Sequence, residues 1–78
     1  MNRRRRARLQ EADSLLSKAL EIVDDVREEE QDSVDNCPEN LQNSERYAAM
    51  EDVVSELEEA RDKIQEAAEH IDRARESG

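Results

Sequence analysis

Apolar residues recur at coiled-coil spacing on both sides of a single proline, and this restricts the chain to long helices. In the first half Leu9, Leu16 and Val23 fall seven residues apart, with Ala12, Ala19 and Val26 at the alternate positions. Steps of three and four keep one stripe on one face of a helix, whereas a half-buried strand needs alternation every second residue. Leu15, Leu20 and Ile22 flank the stripe and widen it. In the second half Met50, Leu57, Ile64 and Ile71 form one row, and Val53, Ala60, Ala67 and Ala74 form a second. Tyr47, Val54 and Ala68 start a third row, which Arg61 interrupts. The residues expected to form the core and dimer interface are Leu9, Leu16, Leu20, Val23, Val26, Met50, Val54, Leu57, Ile64 and Ile71. Outward positions carry Glu, Asp, Arg, Lys and Gln, spaced for pairs such as Glu59 with Lys63. Arg61, on the apolar face, is expected to snorkel or to pair at an interface and so help set the register.

The stretch VDNCPENLQNSER, residues 34–46, breaks this pattern and holds the only Pro and the only Cys. Pro38 has no backbone N–H and disfavours helical geometry at Cys37, so the first helix cannot run through it. The segment PENLQ suits one short helical turn, because Pro is favoured at a first helical position. Leu41 is expected to close the end of the apolar core, and Asn43 or Ser44 to cap the second helix, with Glu45 at its positive end. The chain therefore reads as one all-α domain over residues 1–78: a helix at 3–33, a corner at 34–43 and a helix at 44–76, folded as an antiparallel hairpin.

Composition decides what such a hairpin needs. Charged residues at 44% and aromatics at 1% fit either disorder or long helices, and the periodicity selects helices. A chain of 78 residues rarely supplies enough core alone, and one Cys forms no internal disulfide. Each apolar stripe is also wider than one antiparallel neighbour covers, so two hairpins are expected to close a dimeric four-helix bundle.

The net charge of −10 is unevenly placed. Arg3, Arg4, Arg5, Arg6 and Arg8 lie within the first eight positions, and the other seventy residues sum to −15. A folded-back chain brings these arginines near Glu66, Glu69, Asp72 and Glu76, so internal pairing is one use open to them. Contact with a partner, or with nucleic-acid phosphates, is the other. Direct nucleic-acid binding by the acidic body is not expected. No apolar run approaches the roughly 20 residues of a membrane span, and LQEADSLLSKAL is too charged for a signal peptide. One unpaired Cys without an export signal points to a reducing, cytoplasmic setting.

Chemistry is sparse. His70 has Ala67 three residues before it, which breaks the Glu-x-x-His pattern of bundle metal sites, and it precedes a core position, so it reads as a surface histidine. Cys37 has no basic neighbour in sequence that would activate its thiol, and the glutamates 28–30 lie in nothing like a calcium loop. Nucleophile and phosphate-loop motifs are absent, and the one Gly is terminal. No enzyme activity, metal or cofactor is expected.

The whole pattern joins an Arg-rich start, a helix ending in REEEQDSVDN, the corner PENLQNSER and the helix MEDVVSELEEARDKIQEAAEHID. It resembles small uncharacterised acidic helical-hairpin proteins encoded by Firmicutes and their phages or mobile elements. The resemblance covers nearly the whole chain, is most distinctive at the corner and brings no activity with it. It implies an accessory protein of a phage or mobile element, while the wide apolar stripes point to self-association and protein–protein contact. An acidic DNA mimic, its carboxylates occupying the basic groove of a nucleic-acid-binding protein, is the alternative.

Overall fold

The computed structural model describes residues 1–77. Two α-helices of 33 residues, α1 (Arg3–Asp35) and α2 (Glu45–Ser77), flank a short 3-10 turn at Glu39–Leu41. They lie side by side in a rod of 60 × 15 × 13 Å, so the chain is an all-α hairpin. The first helix runs two residues beyond the expected 3–33, the second is shifted by one residue from the expected 44–76, and the corner between them is residues 36–44.

Local chemistry sets the ends. The Asn2 side chain accepts from the Arg5 amide at 2.8 Å and caps α1, a role its sequence context did not reveal. At the far end Asn36 and Cys37 donate to the carbonyls of Asp32 and Val34, closing the helix just before Pro38. The short turn then bonds Leu41 N–H to Pro38 O and Gln42 N–H to Glu39 O. Of the two candidate caps for α2, Ser44 serves. Its Oγ accepts from the Tyr47 amide at 3.1 Å and donates to Leu41 O at 2.7 Å. Leu41 closes the end of the core only in part: it borders a cleft with Cys37, Tyr47 and Met50 but stands 50% exposed.

The helices differ in how their charges meet the backbone dipole. In α2, Glu45 sits in the first turn and Arg75 in the last, both favourable. In α1, arginines crowd the N-terminal turns and no basic residue occupies the last turn, where Asp32 and Asp35 lie. Both ends of α1 thus oppose its own dipole, each by about 0.3–1 kcal/mol for a charge in the end turn.

The seam between the helices is only partly the one expected. On α2 it follows Tyr47, Met50, Val54, Leu57, Arg61, Ile64, Ala68, Ile71 and Arg75, all half-buried or buried. The interrupted third row therefore faces α1, while Val53, Ala67 and Ala74 of the second row are exposed. On α1, Leu9, Leu16, Leu20 and Val23 turn inward as expected, joined by Asp13, Arg27, Gln31 and Val34. Val26 does not: it is 40% exposed. Val34, expected as the first residue of the corner, is instead one of the two buried side chains among the described residues, the other being Val54.

Candidate association surface

Charged pairs explain why the seam takes this course. Arg75 Nη1 lies 2.9 Å from Asp13 on the opposite helix and 3.1 Å from Asp72 on its own. Arg61 Nη1 reaches Asp24 across the seam at 3.5 Å, and Arg27 Nε holds the same carboxylate at 3.2 Å. Two guanidiniums at fourteen-residue spacing on α2 thus meet two carboxylates on α1, and Arg61 has the register-setting place expected of it. Rotating α2 to bury Val53, Ala67 and Ala74 instead would pull both arginines off their partners. The expected Glu59–Lys63 pair is replaced by Lys63–Glu66, at 3.6 Å.

Asp13 carries a further consequence. Its carboxyl is held above the ordinary value of 3.8, first by a hydrogen bond with Asp72 that keeps a proton on Asp13. Partial burial and the Asp72 charge add to this, while Arg75 pulls the other way. A carboxyl with a raised folded-state pKa binds its proton more tightly in the folded chain than in the unfolded one, so protonation favours folding. That contribution is complete below pH 3.8 and is lost as the pH rises through the raised folded value. We predict that the melting temperature rises on acidification from neutral pH toward this window. Asp13→Asn should flatten part of the rise, and an unchanged profile in that variant would remove the Asp13–Asp72 contact as its cause.

The hairpin has two unlike broad sides. One is polar: shallow clefts there are lined by Gln31, Glu51 and Glu58 beside Val34 and Val54, and by Ser17, Gln65 and Glu69 beside Leu16 and Ile64. The opposite side carries the rest of the apolar stripes. Leu15 is 61% exposed, Ile22 55% and Val53 44%, and Val26 joins them. Ala12, Ala19 and Ala60 lie between them half-buried, and Ala67 and Ala74 continue the row. Antiparallel helices put corresponding flanks of their heptads on the same side, so these rows form one continuous surface. Among the described residues no side chain is fully buried.

The arginine cluster lies at the open end. Arg3 and Arg6 border a cleft of about 610 Å³ with Asp72, Arg75 and Glu76, yet no guanidinium of Arg3, Arg4, Arg5, Arg6 or Arg8 comes within 4.0 Å of a described carboxylate. The internal pairing open to them in the sequence is not formed: Asp72 is held by Arg75, Glu66 by Lys63, and Glu69 by Arg73 at 3.7 Å.

His70 is exposed, with Nδ1 3.5 Å from Arg73 Nη1. Cys37 is half-buried in the corner beside Pro38 and Tyr47, where burial raises the Tyr47 hydroxyl above its ordinary value of 10.0, helped by the charge of Glu51. Among the described residues no group of three His, Cys, Asp or Glu side chains is placed to hold a metal ion, and no helix is long and apolar enough to cross a membrane. No family model matches the chain, and no curated protein or solved structure matches it either.

Proposed function

We propose that the chain is a non-enzymatic association module that works as a homodimer, two hairpins closing a four-helix bundle that then docks a further protein. The observation that carries this is the apolar side of Leu15, Ile22, Val26 and Val53, which lies exposed opposite a polar side. With no fully buried side chain among the described residues, the hairpin gains little from burial at about 25 cal/mol per Å², against roughly 1.5 kcal/mol of ordering entropy per residue. Covering the apolar side with a second copy supplies the missing area, and closed two-fold symmetry is the commonest way to do so. Resemblance to small hairpin proteins of Firmicutes phages and mobile elements fits an accessory role, and a single unpaired Cys fits a reducing, cytoplasmic setting. The DNA-mimic alternative draws on the same acidic charge, but needs evenly spaced free carboxylates. The exposed apolar side and the basic end of Arg3, Arg4, Arg5, Arg6 and Arg8 are not features of a phosphate mimic, which favours the association reading.

Sedimentation equilibrium at micromolar concentration is expected to report about twice the chain mass, with a melting temperature that falls on dilution. A folded monomer whose melting temperature ignores dilution overturns this reading and leaves the apolar side to a different protein.

A further inference from the structure

The geometry points to a definite seating of the second copy: antiparallel on the apolar side, α1 against α1, with Arg8 on the partner's Glu29 and Leu15 on the partner's Ile22. This rests on the homodimer reading. Its first support is the exposed outer row of α1, which runs Arg8, Leu15, Ile22, Glu29 at seven-residue spacing. Read in reverse, a basic, apolar, apolar, acidic row is its own complement. A two-fold axis crossing the rod near Lys18 and Ala19 aligns residue 8 with 29 and residue 15 with 22. The same axis brings Arg3, Arg4 and Arg5 alongside the partner's Asp32.

The second support is the charge of α1 itself. Basic residues at its N-terminal end and acidic residues at its C-terminal end both oppose its dipole, and among the described residues no carboxylate of the same hairpin lies within 4.0 Å of those arginines. Antiparallel pairing gives each unfavourable end the opposite charge in the partner. The third support is the rod as a whole. Residues 20–60, the corner half, hold fifteen acidic and two basic side chains, a net of −13, whereas the open half holds seven acidic and ten basic, a net of +3. The competing two-fold axis, parallel to the rod, lays α1 over the partner's α2 at the same level. It stacks the two −13 halves and sets Glu29 level with the partner's Glu59. Like charges so placed disfavour that arrangement. On α2, the small side chains of Ala67 and Ala74 let the second pair of helices approach closely.

Cys37 is the only cysteine and lies in the corner, so the unmutated full chain takes one spin label per copy. Residue 37 lies some eighteen residues from the proposed axis, so at 1.5 Å per residue pulsed electron resonance is expected to read about 50 Å between labels. A dimer with its corners together, at helix spacings of 8–10 Å, would read below about 25 Å. That short distance overturns the antiparallel seating while the homodimer stands; a monomer by sedimentation in the same sample overturns both. Charge exchange tests the contact. Arg8→Glu and Glu29→Arg should each weaken dimerisation about tenfold, since each alters two pairs per dimer. Glu29→Arg should do so although it lowers the net charge, and the two changes together should restore affinity to within about twofold. A double variant no tighter than either single one overturns the Arg8–Glu29 pairing.

Discussion

Replacing Leu15 and Ile22 together with Gln is expected to abolish dimerisation at micromolar concentration. Gln is nearly as good a helix former as Leu and brings no charge, so α1 keeps its propensity and the chain its net charge. Each dimer loses four apolar side chains from its interface. At about 1.5 kcal/mol for each side chain taken out of water, the loss exceeds a thousandfold in the dissociation constant. The same exchange on a monomer would touch only exposed positions, where surface substitutions stay within about 0.5 kcal/mol. Sedimentation equilibrium paired with thermal melting separates the cases. Unchanged mass would show that the second copy sits elsewhere.

The second large effect is expected inside the seam. Leu57→Ala, in the inward row of α2, should cost about 2–5 kcal/mol, toward the lower end because Leu57 is only half-buried within one hairpin. In a domain with about 5 kcal/mol of total stability, that is enough to leave much of the chain unfolded. Urea denaturation monitored by circular dichroism measures it. Val26→Ala is the companion variant, since Val26 lies outside the seam and should respond mainly through the dimer. A Leu57→Ala midpoint equal to that of the parent chain would mean that α2 presents a different face to α1.

The hairpin was legible in the sequence because period and breaker agree: two heptad-patterned halves and one Pro allow little else. Helix ends were legible to within two residues, since Pro38 and Ser44 act through local backbone chemistry. Which part of each stripe meets the neighbouring helix was not. Periodicity marks an apolar arc, but an arc wider than one neighbour leaves its orientation open, and here polar residues decide. Arg61 and Arg75 were visible as interruptions in an apolar row, and the seam runs along that row because Asp24 and Asp13 stand opposite. The residues displaced by this choice, Val26 and Val53, became part of the outer surface. Val34 was missed because the helix continues two residues beyond the last expected turn. The fate of the five arginines depended on whether nearby acids were already engaged, which spacing does not encode.

The two buried side chains, Val34 and Val54, both lie at the corner end of the rod. Bringing them together closes a loop of twenty residues, whereas the Asp13–Arg75 contact at the open end spans 62. Loop-closure entropy grows as three-halves RT times the logarithm of loop length, so the corner contact is easier to form by about 1 kcal/mol. The tightest packing therefore coincides with the cheapest closure. Such a hairpin zips from the corner outward and frays from the arginine end, and amide exchange slowest around Val34 and Val54 would be the signature of that order. Its least persistent turns are then those carrying the N-terminal arginines, the part of the rod most dependent on what it meets.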